Sequence, residues 1–238
     1  MDSEGVIPLN NSVFNSKMTN HTVVFYHFYL SPVSRAALLL TRALGIKHTV
    51  EVVNLLTREH MSPEFIKMNP LHTVPVLNDG GFIIYDSIVI MKYLANQYGK
   101  DDSLYPASPK KAALVDQRLF FSATYLFPRF RAFYTPTLIF GSPPDEENRT
   151  NLNEALQFLD TFLEGQKWVA GDNMTIADFS IITVIATIEA AGSIDLPSFS
   201  NVWSWYQRTK SAMESFGYEE VCQTGADAFG SAYKSKLK

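Results

Sequence analysis

Two hydrophobic periods run along this chain, and the change from one to the other divides it. Phe25 to Leu30 is an apolar, aromatic run of strand length. It meets Ser31-Pro32, a good helix N-cap residue followed by a proline where the first helical residue would stand. A helix is expected from there to Leu44, stopped by Gly45 with the apolar Ile46 beyond it. His48 to Leu55 is rich in valine, and its two apolar faces predict a second strand in an inner or parallel position. Residues 56–68 predict a shorter, less regular helix after Ser62-Pro63, which Asn69-Pro70 ends. Thr73 to Leu77 and Phe82 to Tyr85 flank Asn78-Asp79-Gly80-Gly81, whose residues tolerate positive φ, and this predicts a hairpin. Asp86-Ser87 caps a further helix that carries Ile88, Met91, Leu94 and Ala95 at helical spacing and closes at Tyr98-Gly99. The predicted order is βαβαββα.

After a polar, proline-bearing linker at 100–109, only helical periods remain. Residues 110–140 predict a helix that Pro128 and Pro136 must kink or break. Asp145 to Glu164 places Leu152, Leu156, Leu159 and Leu163 on one side. Thr175-Ile-Ala-Asp178 reads as a capping box, with Asp in place of the usual Glu, before the very apolar Phe179 to Ala191, which should be central. Pro197 opens a connection to a helix from Phe199 to Met213, and a glycine-containing tail follows. The expected division is therefore a disordered Asn- and Ser-rich extension at 1–21, with Met18 as an alternative start, a first domain at 22–99, the linker, and an all-helical domain at 110–238.

Composition narrows the function. A formal charge of -4 over 238 residues, without a basic cluster, argues against nucleic-acid binding. A single cysteine, Cys222, excludes an internal disulfide framework and suits a reducing, cytoplasmic setting. No thiol pair is present for zinc or dithiol redox chemistry, and no metal is expected. No apolar run is long enough to span a bilayer, so no membrane partner is expected. The sequons at Asn10, Asn20, Asn148 and Asn173 carry no information in a cytoplasmic chain. The chemistry of interest lies at Ser31, a hydroxyl at a helix mouth where free N–H groups and the helix dipole favour an anion. No G-x-S-x-G elbow surrounds it, which argues against a serine hydrolase.

Five stretches in this order are Leu30-Ser-Pro-Val-Ser-Arg35, Asn69-Pro-Leu-His-Thr-Val-Pro75, Asp86-Ser87, Tyr98 to Pro106, and Met174-Thr-Ile-Ala-Asp-Phe-Ser180. With the βαβαββα unit and the helical half, they resemble the cytosolic glutathione transferases of the insect delta and epsilon classes, leaning to epsilon. The resemblance covers roughly residues 22–222. It implies a fold class of α/β plus all-α, with an N-terminal thioredoxin-like domain and an all-helical C-terminal domain.

The resemblance also implies roles for residues. His60 and His72 match the family's histidines for the glycine carboxylate of glutathione. Val74-Pro75 matches its cis-proline turn, where the backbone pairs with the cysteinyl part in strand fashion. Ser87 and the helix amides would receive the γ-glutamyl carboxylate, and Asp86 would meet the ammonium with one methylene less reach than the glutamate of many relatives. Ser31 would be the catalytic residue, donating a hydrogen bond to the glutathione sulfur, which is itself the nucleophile. Lowering a thiol pKa by two units from ~8.5 takes roughly 2.7 kcal/mol. A helix mouth supplies about 0.3–2 kcal/mol and a hydrogen bond to a charge about 1.5–3 kcal/mol, so both are needed.

Serine rather than cysteine at position 31 also argues against mixed-disulfide chemistry. Leu30, Phe127, Phe130, Tyr134 and Leu138 would line the pocket for a small apolar electrophile, and Arg131, which matches an arginine that reaches the active site in epsilon relatives, would join the glutathione-binding residues. The resemblance implies glutathione as co-substrate, a homodimer, and conjugation of electrophiles, with peroxide reduction or halide elimination as side activities. Two other readings of the same scaffold stand beside it: a non-catalytic carrier of apolar ligands, and an interaction module.

Overall fold

The computed structural model describes residues 22–237, so the expectations placed on residues 1–21, the sequons Asn10 and Asn20 among them, lie outside the described residues. Four strands and a set of helices follow in the expected order. Strand β1 (Val23–His27) leads into α1 (Pro32–Ala43), β2 (His48–Val52), α2 (Pro63–Met68), β3 (Val76–Asp79), β4 (Phe82–Tyr85) and α3 (Ser87–Tyr98). The sheet order is β2-β1-β3-β4, with β2 parallel to β1 and the other pairings antiparallel. In the centre Phe25 lies opposite Leu77, and Leu77 opposite Ile84. Phe25 and Leu77 are fully buried. On the neighbouring position of β1, Tyr26 points to the other face, where its ring meets Phe65 of α2 edge-on at 6.3 Å.

Three local expectations are corrected. Strand β2 is parallel, but it stands at the edge of the sheet, and Val52 is 62% exposed. Its valines reflect the preference of β-branched side chains for extended backbone rather than burial on two faces. Strand β1 stops at His27, because Phe28 to Leu30 turn toward the helix and the Phe28 carbonyl accepts from the Ser31 N–H. The hairpin is shifted along the chain: β3 starts after the cis Val74-Pro75 bond and runs through Asn78 and Asp79.

The second half is helical: α4 (Pro109–Phe121), α5 (Phe127–Phe140), α6 (Glu146–Phe162), α7 (Ile176–Ala191), α8 (Ser200–Met213) and α9 (Thr224–Lys234). The long helix expected over 110–140 is divided by a π-turn at Ser122–Leu126. Pro128 has no N–H for the carbonyl four residues back, and the widened turn before it relieves that crowding. Helix α7 is the axis of this half, buried almost throughout. Asp178 closes its N-terminus as expected, accepting from Thr175 N at 2.8 Å, Val169 N at 3.1 Å and Trp205 Nε1 at 2.9 Å.

The segment after Met213 is more ordered than a tail. A π-turn at Glu219–Gln223 leads into α9, which lies along α7 with Ala226, Phe229, Gly230 and Tyr233 inward. Those four residues recur at helical spacing, the signal that two glycines obscure. The glycines are there for contact rather than for a break. A Cβ at Gly230 would stand 2.4 Å from the Ala190 carbonyl oxygen. One at Gly225 would stand 2.5 Å from the Tyr29 carbonyl oxygen and 2.6 Å from Cδ of Arg35. Gly225→Ala should therefore cost about 1–3 kcal/mol of stability, read as a lowered midpoint in urea denaturation. An unchanged midpoint would show that the chain can yield there.

Candidate active site

The sheet unit and the helical unit meet around a cavity of about 720 Å³, within the range of small-molecule sites. One wall is polar. Ser31 caps α1, its Oγ accepting from Ser34 N at 3.4 Å, so that its own proton remains available to donate. His27 at the end of β1 supports this loop, with Nδ1 2.8 Å from the Ser34 hydroxyl. His60 and His72 approach with ring centroids 6.2 Å apart. His72 has a left-handed backbone, φ 44°. Burial, then the neighbouring His72 and Arg58, hold the His60 ring below the usual histidine pKa, and its buried Nδ1 has no partner among the described residues.

At the mouth of α3, Asp86 sits at φ 74°, a strained backbone for a non-glycine residue. Its Oδ1 accepts from Ile88 N at 2.9 Å and Val89 N at 3.2 Å. Two of the helix-mouth amides are thus held by this carboxylate, and Ser87, the first helical residue, lines the cavity beside it.

The opposite wall is mainly apolar and comes from α5 and α9. Ser31, His60, His72, Val74, Pro75, Asp86, Ser87 and Arg131 line this one cavity, as do Leu30, Phe127, Phe130 and Leu138. Tyr134 does not. It is 0% exposed and packs in the core against Phe133, Phe229 and Tyr233, with its hydroxyl 3.0 Å from Ser193 Oγ. Helical spacing put it beside Phe130 and Leu138, but a stripe of that width has an inner edge, and Tyr134 falls on it. The expectation that Tyr134 lines the pocket is therefore corrected. Sequence reasoning also passed over Phe28, Ile88, Ser122, Ser180 and Phe229, which line the cavity as well. Phe229 could have been found from the helical spacing of α9; Ser180 ends one of the family-like stretches, but nothing in the chain pairs it with Ser122. Among the described residues no three His, Cys, Asp or Glu side chains gather into a metal-sized group.

Two family models described as the N-terminal and C-terminal domains of glutathione S-transferase match residues 25–102 and 124–211. The chain belongs to the glutathione S-transferase family. Glutathione S-transferase D7 of Anopheles gambiae is 36% identical over 217 residues, covering 91% of this chain and 99% of the relative. A delta-class glutathione transferase of Nilaparvata lugens matches with a TM-score of 0.85 at 43% identity, covering 90% of this chain and 99% of that one. An epsilon-class glutathione S-transferase of the housefly, Musca domestica, matches with a TM-score of 0.85 at 40% identity, covering 90% and 98%. Because both classes match almost equally, identity places the chain with the insect delta and epsilon enzymes as a group and does not divide them. The protein is a glutathione S-transferase with a thioredoxin-like first domain and a helical second one.

The loop that carries Ser31 in this transferase is acid-sensitive by construction. Burial, with Arg35 close by, pushes His27 down to about 4, although the Ser34 bond pulls the other way. A depressed native pKa means that this stability is fully present above the unfolded value of about 6.5 and is lost as pH falls from there toward 4. Between pH 7 and pH 5 the loss from this group should be about 2 kcal/mol. Urea midpoints measured across that range should fall for the parent and flatten for His27→Asn; identical slopes would remove His27 as the cause.

Proposed function

We propose that the cavity binds glutathione against its polar wall and a small apolar electrophile against its helical wall, with Ser31 donating a hydrogen bond to the glutathione sulfur. The observation that carries this is the N-cap position of Ser31, which leaves a hydroxyl proton free at a helix mouth inside the cavity. The sulfur loses its proton to solvent as the thiolate forms. The thiolate then attacks the electrophilic carbon, a sulfur–carbon bond forms, and the leaving group departs with the electron pair of the broken bond. Ser31 and the mouth of α1 act on the charged sulfur together, since neither alone supplies about 2.7 kcal/mol.

The remaining contacts follow the same division. His60 and His72 receive the glycine carboxylate, and the buried Nδ1 of His60, without a partner among the described residues, is the structural support for a ligand there. Val74, before the cis Pro75, offers its backbone to the cysteinyl part. Ser87 takes the γ-glutamyl carboxylate and Asp86 the ammonium; because Oδ1 is occupied by two amides, that contact falls to the remaining oxygen. Leu30, Phe127, Phe130 and Leu138 hold the electrophile, and Arg131 is assigned to glutathione from the helical wall. The proposed domains are 22–99 and 110–238, joined by 100–109, in a cytoplasmic protein that draws on the glutathione pool.

Ser31→Ala should lower turnover of chlorodinitrobenzene about 10- to 100-fold near neutral pH, as expected for losing a hydrogen bond to a charged group. The KM for glutathione should stay close to the parent value, while the pH-rate profile moves to higher pH. Equal turnover in the two proteins would sink the role of Ser31. Glutathione binding without turnover, over several electrophiles, would favour a carrier.

A homodimer is part of this proposal. Phe82, Val89, Leu114 and Phe120 expose apolar side chains, Phe120 to 67%, on β4, α3 and α4. The Lys92–Asp116 ion pair, 3.0 Å, holds α3 beside α4. Large apolar side chains exposed on neighbouring elements are what a partner subunit would cover. In sedimentation the 26.8 kDa chain should run at twice its mass, and Phe120→Lys should shift it toward the monomer. A monomeric parent would overturn this part.

A further inference from the structure

The helical wall of the cavity contains a polar feature that the roles above leave unused. Ser122, at the start of the π-turn, and Ser180, on the second turn of α7, are 2% and 3% exposed, yet both line the cavity. Their hydroxyl oxygens are 2.9 Å apart. Several other helical hydroxyls of this protein fold back on their own helix. Thr41 donates to Ala37 O, Thr124 to Phe120 O, Thr187 to Thr183 O and Thr209 to Trp205 O. Ser122 and Ser180 instead bond each other across two elements. Two hydroxyls carry two protons, and their mutual bond uses one. Among the described residues the second proton has no acceptor. A buried donor without a partner is costly, and Phe127, Phe130, Leu138 and Phe229, which line the same cavity, offer no oxygen or nitrogen from their side chains.

We propose that the Ser122–Ser180 hydroxyl pair donates one hydrogen bond to the second substrate, so that this transferase favours electrophiles which carry a hydrogen-bond acceptor as well as the reacting carbon. This rests on the reading of the helical wall as the electrophile site. The ring or chain of the substrate packs on the aromatic wall, which discriminates shape only weakly. A directed donor within that wall discriminates more strongly, because an apolar group placed against it leaves the hydroxyl unpaired. The pair is well suited to a neutral acceptor such as a nitro, carbonyl or ether oxygen. It brings no charge into the cavity, and accepting from one hydroxyl strengthens the donor power of the other.

The test compares two benzylic chlorides of similar shape, 4-nitrobenzyl chloride and 4-isopropylbenzyl chloride, in the parent and in Ser122→Ala/Ser180→Ala. In each reaction the glutathione sulfur bonds to the benzylic carbon and chloride leaves with its electron pair, so a ratio of ratios cancels the difference in intrinsic reactivity. The double substitution should lower kcat/KM for the nitro compound relative to the isopropyl compound by about 3- to 10-fold, the size of one neutral hydrogen bond. The KM for glutathione should not move. A second variant, Ser122→Thr/Ser180→Thr, keeps both hydroxyls and should retain the parent preference. An unchanged ratio, or a parallel fall for both chlorides, would overturn the proposal by reducing the pair to a structural bridge. A rise in the KM for glutathione with an unchanged ratio would overturn it by placing the pair on the glutathione side. If the parent turns over neither chloride while still binding glutathione, the electrophile site itself is misplaced and this inference falls with it.

Discussion

The position of α1 rests on one buried charge. Arg35 stands one turn after Ser31, and its backbone N–H donates to the Ser31 carbonyl. Its guanidinium is wholly buried between the two halves of the protein, donating to the Cys222 carbonyl and to Thr187 Oγ1 of α7. Burial lowers its pKa, against the raising influence of Cys222, Tyr218, Tyr206 and Asp227. The groups it donates to are neutral oxygens, so the interaction supplies direction more than charge neutralisation. Breaking it would leave a cation stranded in low dielectric, which is why the contact, once formed, fixes the geometry firmly. Gly225 is part of the same arrangement, since no side chain fits between the Tyr29 carbonyl and the shaft of Arg35. The helix whose mouth carries Ser31 is thus tied at its second turn to the last elements of the chain.

This tie explains why the cavity has two chemical sides. The strands and α1, α2 and α3 bring polar groups and helix mouths, which suit a charged peptide. Helices α5 and α9 bring aromatic rings, which suit an apolar partner. The first half supplies most of the polar groups and the second most of the phenyl rings, and the reacting atoms can meet only where the halves are held together. The π-turn at Ser122–Leu126 belongs to the same design. It accommodates Pro128 and at the same time sets Ser122 in the wall opposite the sheet unit.

Membership of a transferase family favours turnover over a passive carrier, and the site is consistent with that in a specific way. A carrier needs the apolar wall but has no use for a free hydroxyl at a helix mouth. The single cysteine, fully buried beside Arg35, is removed from the cavity, so the sulfur chemistry belongs to the bound thiol.

Local rules determined a large part of this protein. Ser31-Pro32, Ser62-Pro63, Asp86-Ser87 and Thr175 to Asp178 set helix starts because capping is satisfied within a few residues, and the hairpin around Gly80-Gly81 is likewise local. The order of elements was legible for that reason; the cavity residues named from the sequence came instead from the likeness of whole motifs to the glutathione transferases, and they make up only part of the lining. Tertiary structure decided what local pattern leaves open. Val50 and Val52 lie at an exposed edge because strand order, not side-chain type, sets burial. Tyr134 is in the core and not in the cavity because a helix stripe does not state where its boundary falls. The segment after Met213 forms a helix because α7 offers a surface along which Ala226, Phe229 and Tyr233 can be buried, and Phe229 reaches the cavity only through that packing. The Ser122–Ser180 pair joins the π-turn to α7 between residues 58 positions apart. Short-range chemistry writes the caps and turns into the chain; burial and the meeting of distant hydroxyls exist only once the chain has closed on itself.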